Sequence, residues 1–327
     1  MSGKNPDKVQ NNIDERTEIQ NHFNDKILHF NDERKYLLTF PAPLILRSHN
    51  QKVRNRRINS INIKWIPIIF LGSYFCNMKK ALDRFSHQSK AYKDYRPTYP
   101  EELFKYIYSF CNARNTCWDC GTGNGQVAIV LSKSFAHVFA SDISKQQIRH
   151  AVHRDNIEYS VQRAEQTSFV SDSFDLITVA QAVHWFDLEA FNHEVQRVLK
   201  PNGIIAIWGY GLLRINSEID PIILHFYNNI IGAYWDKERD YIDLKYSTIP
   251  FNFNEIHIKD TFKIETSWTL LELEGYFNSW SSVQNFMKKN NGQNPVEQLI
   301  KDISLKWNTP RQKITFPIFM RLGRNAK

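Results

Sequence analysis

Cysteine is scarce in this chain, with four in 327 residues. That density excludes a disulfide-stapled secreted fold. Glycine and proline, at 12 each, are too few for collagen-like or proline-rich architecture. No repeat occurs at the periods of solenoids or propellers. Mean hydropathy is low, at -0.48, which does not suit an integral membrane protein. The apolar run Ile63–Leu71 is interrupted by Lys64 and Pro67 and meets Gly72. It falls short of the ~20 apolar residues of a membrane span. It also follows some 60 polar residues, whereas a secretory signal sits at the extreme N-terminus. What is present, 42% hydrophobic and 13% aromatic residues, suffices to bury the core of one large domain or two small ones.

Charge is unevenly spread. Residues 1–77 hold 12 of the 42 basic and 7 of the 34 acidic side chains, so most of the net +8 lies in the first quarter. The remainder is close to balanced, which argues against a nucleic-acid-binding body. Residues 1–36 are dominated by Asn, Asp, Glu, Lys and Arg, a composition expected to stay disordered or to form a lone solvated helix. A basic cluster follows (Arg47, Lys52, Arg54, Arg56, Arg57), then the short apolar run. Three readings stand for 1–77: a disordered tail with a sticky patch, a weak membrane-surface contact through 47–75, or an extension preceding a functional start at Met78. The functional domain is expected to be 78–327.

From residue 101 the pattern alternates. A helix is expected at 101–108 and strands at 115–119, 137–141, 157–161, 174–180 and 204–208, with helical spacing between them. Ser144 with Gln147 reads as a capping box, Asp187 as the next helix cap, and Lys200-Pro201-Asn202-Gly203 as a stop. Alternation of this kind implies a parallel sheet with right-handed crossovers and helices on both faces. The C-terminal third is less regular. Asp220-Pro221 reads as a helix cap followed by proline at the first position, and 234–258 as aromatic loop. Strands are expected at 262–268 and 313–322, and helices at 270–279, 281–290 and 295–307. The cap over the sheet is expected mainly in 212–310.

The stretch Asp119-Cys120-Gly121-Thr122-Gly123-Asn124-Gly125 carries the strongest signal. Glycines after a first strand allow a tight turn and close approach of a ligand to the main chain. Asp142 ends the next strand, where an acid suits hydrogen bonding to ribose hydroxyls. A nicotinamide-dinucleotide loop would need glycine at 126, where this chain has Gln126, and no Gly-Lys-Ser/Thr follows for a P-loop. The third glycine at 125 instead resembles motif one of class I S-adenosylmethionine (SAM) methyltransferases. Further segments resemble the trans-aconitate-methyltransferase-like (methyltransferase type 11-like) family: Phe85-Ser86, Tyr92, Tyr95-Arg96-Pro97 and Tyr99-Pro100; Ala164-Glu165; Phe174 through Asp187; Leu199 through Gly203 with Gly209; Tyr276, Trp280-Ser281, Phe316-Pro317 and Leu322-Gly323-Arg324. The likeness spans roughly 85–324.

The resemblance implies a Rossmann-like α/β fold with a seven-stranded, mostly parallel sheet, helices on both faces and a C-terminal helical cap. It implies SAM as cofactor, with S-adenosylhomocysteine as product. Asp119, Gly121, Thr122, Gly123 and Gly125 would face its methionine end. Asp142 would hold the ribose, Ile143 would pack on adenine, and Ala164 and Glu165 would line the adenine edge. Gln181, Ala182, His184 and Trp185 would lie near the sulfonium. Simple core packing is an equal reading for Ile143 and Ala182. Arg96, flanked by Tyr92 and Tyr99, is the candidate for holding an acceptor carboxylate, or else binds the cofactor's carboxylate or a neighbouring helix. His184 reads as a hydrogen-bonded wall residue ahead of a general base. Trp185, Trp208, Tyr210, Tyr234, Trp235 and Trp280 are candidates for an aromatic wall.

Gln181-Ala182-Val183-His184 stands where an Asn/Asp-Pro-Pro-Tyr motif would mark amine methylation of DNA or protein. Cys117-x-x-Cys120 is not read as a metal or redox pair, because strand alternation sends the two thiols to opposite faces and no second pair completes a zinc site. No metal is expected. The expected protein is a cytoplasmic enzyme acting on a small molecule, with a carboxylate foremost. O- or S-methylation of a lipid-like acceptor, or a catalytically silent SAM-fold binding protein, are the alternatives.

Overall fold

The computed structural model describes residues 97–327; the expectations for 1–77, and for Phe85, Tyr92 and Arg96, lie outside the described residues. The chain enters through Pro100 into α1 (Glu101–Tyr108), which buries Leu103, Phe104, Ile107 and Tyr108 on one face. Five parallel-paired strands follow: β1 (Thr116–Cys120), β2 (His137–Asp142), β3 (Ile157–Val161), β4 (Phe174–Ala180) and β5 (Leu199–Tyr210). The helices between them are α2 (Gln126–Leu131), α3 (Lys145–Arg149) and α4 (Leu188–Val198). β4 is an almost unbroken buried strand, as its apolar run requires when both faces are covered.

The C-terminal third adds β6 (Asn254–Glu255), β7 (Phe262–Trp268) and β8 (Gln312–Arg324). The strand order is β3-β2-β1-β4-β5-β8-β6, with β7 also paired to β8. The order reverses between β1 and β4, so a crevice opens at the carboxyl ends of those strands. β8 runs antiparallel to β5. Its 13 residues outreach the part of β5 it pairs with, and its first half pairs with β7. The tail of β8 also pairs with β6. The expected seven strands are therefore joined by an eighth of two residues, too short to leave a periodic signal and lying in a stretch read as loop. β5 is also longer than expected, because Leu199 pairs with Phe174 across an irregular register before the main run begins at Ile204.

Strand alternation divides the sheet core in two. Cys117, Leu176, Ile204, Ala206 and Trp208 pack with α1 and α2 on one face. Trp118, Cys120, Ile177, Val179, Ile205 and Ile207 pack with Phe191 and Val195 of α4 on the other. Each fully buried large apolar side chain contributes about 1.5–3 kcal/mol. Cys117 and Cys120 thus face opposite clusters, and burial holds both thiols protonated.

The cap has its own core. α5 (Asp220–His225) continues as a π turn over 226–230, closed by Ile231 N–H donating to Phe226 O at 3.0 Å. α6 (Arg239–Asp243), α7 (Leu270–Asn278), α8 (Ser281–Lys289) and α9 (Val296–Ser304) follow. Ile223, Phe226, Phe277, Leu299 and Ile303 bury against Ile314 and Phe316 of β8. Two caps form where expected: Ser144 Oγ accepts from Gln147 N, and Asp187 Oδ1 from Ala190 N. Asp220 does not cap α5. It sits inside the helix and its Oδ1 accepts from Ile215 N and Asn216 N, while Asn216 Oδ1 takes the N–H groups of Glu218 and Ile219. The capping box at Thr269 and Glu272, readable from their spacing, starts α7.

Candidate active site

The loop after β1 is braced to the end of β2. Thr122 N donates to Ser141 O at 3.0 Å, and Gly123 N donates to Asp142 Oδ2 at 2.9 Å. Asp142 Oδ1 accepts Ser144 N at 2.8 Å, so one carboxylate ties the loop to the start of α3. Gly121, Gly123 and Gly125 all adopt positive φ, at 68°, 58° and 83°. At Gly125 a Cβ would lie 2.2 Å from the Tyr159 hydroxyl, whereas at Gly123 it would meet no atom within 4 Å. Gly125 is thus demanded by packing. Gly123 instead leaves its backbone open to the cleft.

Asp119, next to last in β1, is almost fully buried, at 1% exposure. Its Oδ2 accepts from Thr122 Oγ1 and its Oδ1 from Thr178 Oγ1. Burial pushes its carboxyl up to about 6; the two threonine hydroxyls oppose that shift and Asp142 adds to it. A carboxyl poised there gains from a cation placed beside it.

The cleft at the reversal point is lined by this loop, by Asp142 and Ile143, by Ala164 and Glu165, and by Gln181, Ala182, His184 and Trp185. Ile143 is 39% exposed, so it projects at the rim and is not a core side chain. Ala182 does both jobs: it lines the cleft, and a Cβ on Gly121 would come within 2.7 Å of its own. Glu165 is held in place, with Oε1 accepting Asp187 N and Oε2 facing Arg163 Nε. Gln181 takes a left-handed φ of 54°. Bonds at both ends offset that strain: its N–H donates to Trp208 O, and its Oε1 accepts Tyr210 N.

His184 is buried, with Nδ1 2.9 Å from the Tyr246 hydroxyl and the two rings stacked. Tyr246 is itself fully buried at φ 60°, and Arg321 clamps its loop by donating to Tyr246 O and Ile249 O. Of the aromatic candidates, Trp185, Tyr210, Trp235 and Trp280 reach the cleft with Tyr99. Trp208 does not; it is fully buried against Tyr99 and Phe104. Tyr234 packs on Phe286, away from the lining residues.

Several lining residues carry no signal in the sequence, among them Gln162, Arg163, Leu212, Asp236 and Arg239, and Tyr276 is marked there only by the family-like pattern. Arg239 lies in α6, within the stretch read as loop. Its guanidinium sits over Trp235 (4.7 Å) and Tyr227 (5.3 Å), and its Nε donates to the Tyr227 hydroxyl. The spacing of Arg239 and Asp243, four apart on a helix, was the available clue. Among the described residues, no group of three or more His, Cys, Asp and Glu side chains is placed to hold a metal, and no helix is long and apolar enough to cross a membrane.

The comparisons agree with this geometry. Residues 118–207 match the family model described as methyltransferase domain. A protein of Dictyostelium discoideum assigned as a methyltransferase is 38% identical over 252 residues, covering 74% of this chain and 95% of that protein. A Saccharomyces cerevisiae protein assigned as an S-adenosylmethionine-dependent methyltransferase is 29% identical over 132 residues, 38% of this chain and 45% of that protein. The solved structure of a protein from Anaeromyxobacter dehalogenans, assigned as a type II methyltransferase, superposes with a TM-score of 0.66 at 34% identity. It covers 70% of this chain and 98% of that one.

Proposed function

The chain belongs to the class I SAM-dependent methyltransferases, and from that premise we propose that it methylates a small molecule bearing a carboxylate, as its resemblance to the trans-aconitate-methyltransferase-like family suggests. The observation that carries the cofactor half of this reading is the braced loop at the strand-order reversal; the carboxylate rests on the resemblance. Gly123 leaves open space for a ligand's chain, and Asp142 stands at the end of β2 beside it. That arrangement fits the cofactor. Buried Asp119 and the loop backbone would hold the methionine end, with the ammonium favouring the ionised carboxyl. Asp142 would take the ribose, and Ile143 with Ala164 the adenine. Bound SAM supplies a sulfonium-activated methyl group.

The remaining chemistry is positioning. A carboxylate acceptor is already ionised at neutral pH, so the protein needs to align it and exclude water. Gln181, Ala182 and Trp185 form the wall near the transferred group, and Tyr99, Tyr210, Tyr276 and Trp280 the far wall. His184, held by Tyr246, serves as wall and not base. Arg96 and Tyr92 are assigned to the acceptor by resemblance. The aromatic wall also favours a second reading, O- or S-methylation of a lipid-like acceptor.

Calorimetric titration of SAM into the wild type and Asp142→Ala, followed by a screen of polycarboxylates for methyl esters, tests the proposal. Tight wild-type binding, loss in the variant and ester formation support it. Thioethers or ethers in place of esters would shift the choice to the second reading.

A further inference from the structure

Arg239 is a cation built into the cap side of the cleft, and most of its surroundings are accounted for. Its side chain is 18% exposed. Tyr227 and Trp235 lie under the guanidinium, and Trp280 packs on both rings. The Nε edge is occupied: it donates to Tyr227 Oη at 2.6 Å and lies 3.5 Å from Asp243 Oδ1, while Tyr227 Oη donates to that same Oδ1 at 2.7 Å. This lock fixes the plane of the fork. The two Nη groups have no partner among the described residues, and Arg239 lines the cleft. On the same wall the Trp235 indole N–H is buried without an acceptor. Asp236 also lines the cleft and is the one acid of α6 and its entry turn that does.

A guanidinium held by one edge, backed by the Trp235 indole and open at the other edge, presents the geometry that carboxylates accept in bidentate fashion. Aromatic rings around it raise the value of that contact by lowering the local dielectric. We propose that Arg239 is the specificity-determining residue of the acceptor site, and that it holds an anionic group of a planar, largely apolar acceptor through its free Nη edge. The assignment rests on the methyltransferase reading, but not on which acceptor atom receives the methyl group. It moves the anion contact from Arg96, where the sequence placed it, to the cap.

Benzoate serves as the probe and benzyl alcohol as its neutral partner, each titrated into the full-length protein saturated with S-adenosylhomocysteine. Wild type is expected to bind benzoate at least tenfold tighter than benzyl alcohol, the effect of about one charge-assisted hydrogen bond. Arg239→Gln should abolish that preference, Arg239→Lys should keep part of it, and Arg96→Gln should leave it unchanged. S-adenosylhomocysteine affinity should be the same in both Arg239 variants, which shows that they remain folded, and circular dichroism reads the fold of Arg96→Gln. Equal binding of the two probes by wild type, or an undiminished preference in Arg239→Gln, overturns the proposal. A preference lost only in Arg96→Gln returns the anion contact to that residue. Turnover separates this result from the carboxylate reading. If wild type methylates thiols or hydroxyls of anionic acceptors and Arg239→Gln raises their KM tenfold or more, Arg239 stands and carboxylate methylation falls.

Discussion

Gly123 and Gly125 share a backbone conformation but should fail differently when given a side chain. Alanine at 123 must adopt φ 58° yet meets no atom within 4 Å. The left-handed conformation costs about 1–2 kcal/mol, and the stiffer unfolded chain returns about 0.4–1 kcal/mol. The net loss is about 1 kcal/mol, a drop of roughly 2–4 °C in Tm for a domain of this size. Alanine at 125 adopts φ 83° and its Cβ lands 2.2 Å from Tyr159 Oη and 3.0 Å from Cζ. The hydroxyl cannot yield without giving up its bond to Val152 O, so about 3 kcal/mol or more is expected from overpacking and the lost bond together. Gly125→Ala combined with Tyr159→Phe should recover part of that. SAM affinity should rank in the opposite order to stability. Gly123→Ala places a methyl group where the ligand's chain would pass and should bind at least tenfold more weakly while nearly as stable as wild type. Thermal melts by circular dichroism and SAM calorimetry on the same preparations read both quantities. A folded Gly123→Ala that binds SAM like wild type would refute the claim that this backbone faces the cofactor.

Asp119 should make SAM binding pH-dependent. Its carboxyl is raised to about 6 by burial, so affinity should fall as pH drops through 6, and Asp119→Asn should bind weakly with that dependence gone. The same shift has the opposite sign for the ligand-free protein, since a raised carboxyl makes the folded state bind more protons than the unfolded chain between about 3.9 and 6; apo stability from this group rises as pH falls through that window. At the other end of the sheet, burial works to raise the Asp175 carboxyl, but Lys200 and the N–H groups of Thr116 and Asn115 hold it below its usual range. Asp175→Asn should cost about 1–3 kcal/mol near neutral pH. That difference should shrink as acid protonates the wild-type carboxylate below about 3.9, which urea melts across pH can check. Tyr246→Phe removes the hydroxyl on His184 and, with His184 as wall, should lower kcat by less than tenfold with the pH–rate profile unmoved. A shifted basic or acidic limb would make His184 a proton-transfer group instead.

The sheet was legible because its signals are short-range. β3, β4 and β7 fall on the residues their apolar patterns mark, and Ser144 and Asp187 cap as their spacing requires. Failures came where a longer-range contact decides. Asp220 precedes a proline as a cap should, but the turn closes one residue earlier: Asn216 Oδ1 takes the N–H groups of Glu218 and Ile219, Ile219 O takes those of Ile222 and Ile223, and Asp220 becomes the first residue of the helix. β6 forms against Gly323 and Arg324 at the end of β8, on the side away from β5, and nothing within Asn254–Glu255 announces it.

The two halves of the cleft differ in the same way, for a physical reason. Holding a cofactor against a loop demands backbone that can approach closely, and that demand writes glycine at 121, 123 and 125 within a single turn, with an acid at the end of the adjacent strand. Local chain geometry enforces those spacings, so a single sequence exposes them. The acceptor wall carries no such constraint. Tyr99, Tyr210, Trp235, Arg239, Tyr276 and Trp280 meet only through the packing of the cap against β5, β7 and β8, a cluster distinct from the two that hold α1, α2 and α4 on the sheet. Aromatic density in 234–258 hinted at a wall, but only the fold shows that a guanidinium lies against it. Arg96 was favoured as a cation within the family-like segment that opens the domain, whereas Arg239 gains its ring partners by folding. A cation's neighbours along the chain say little about the dielectric around it; the rings packed on its faces, and the edge they leave open, decide what it can bind.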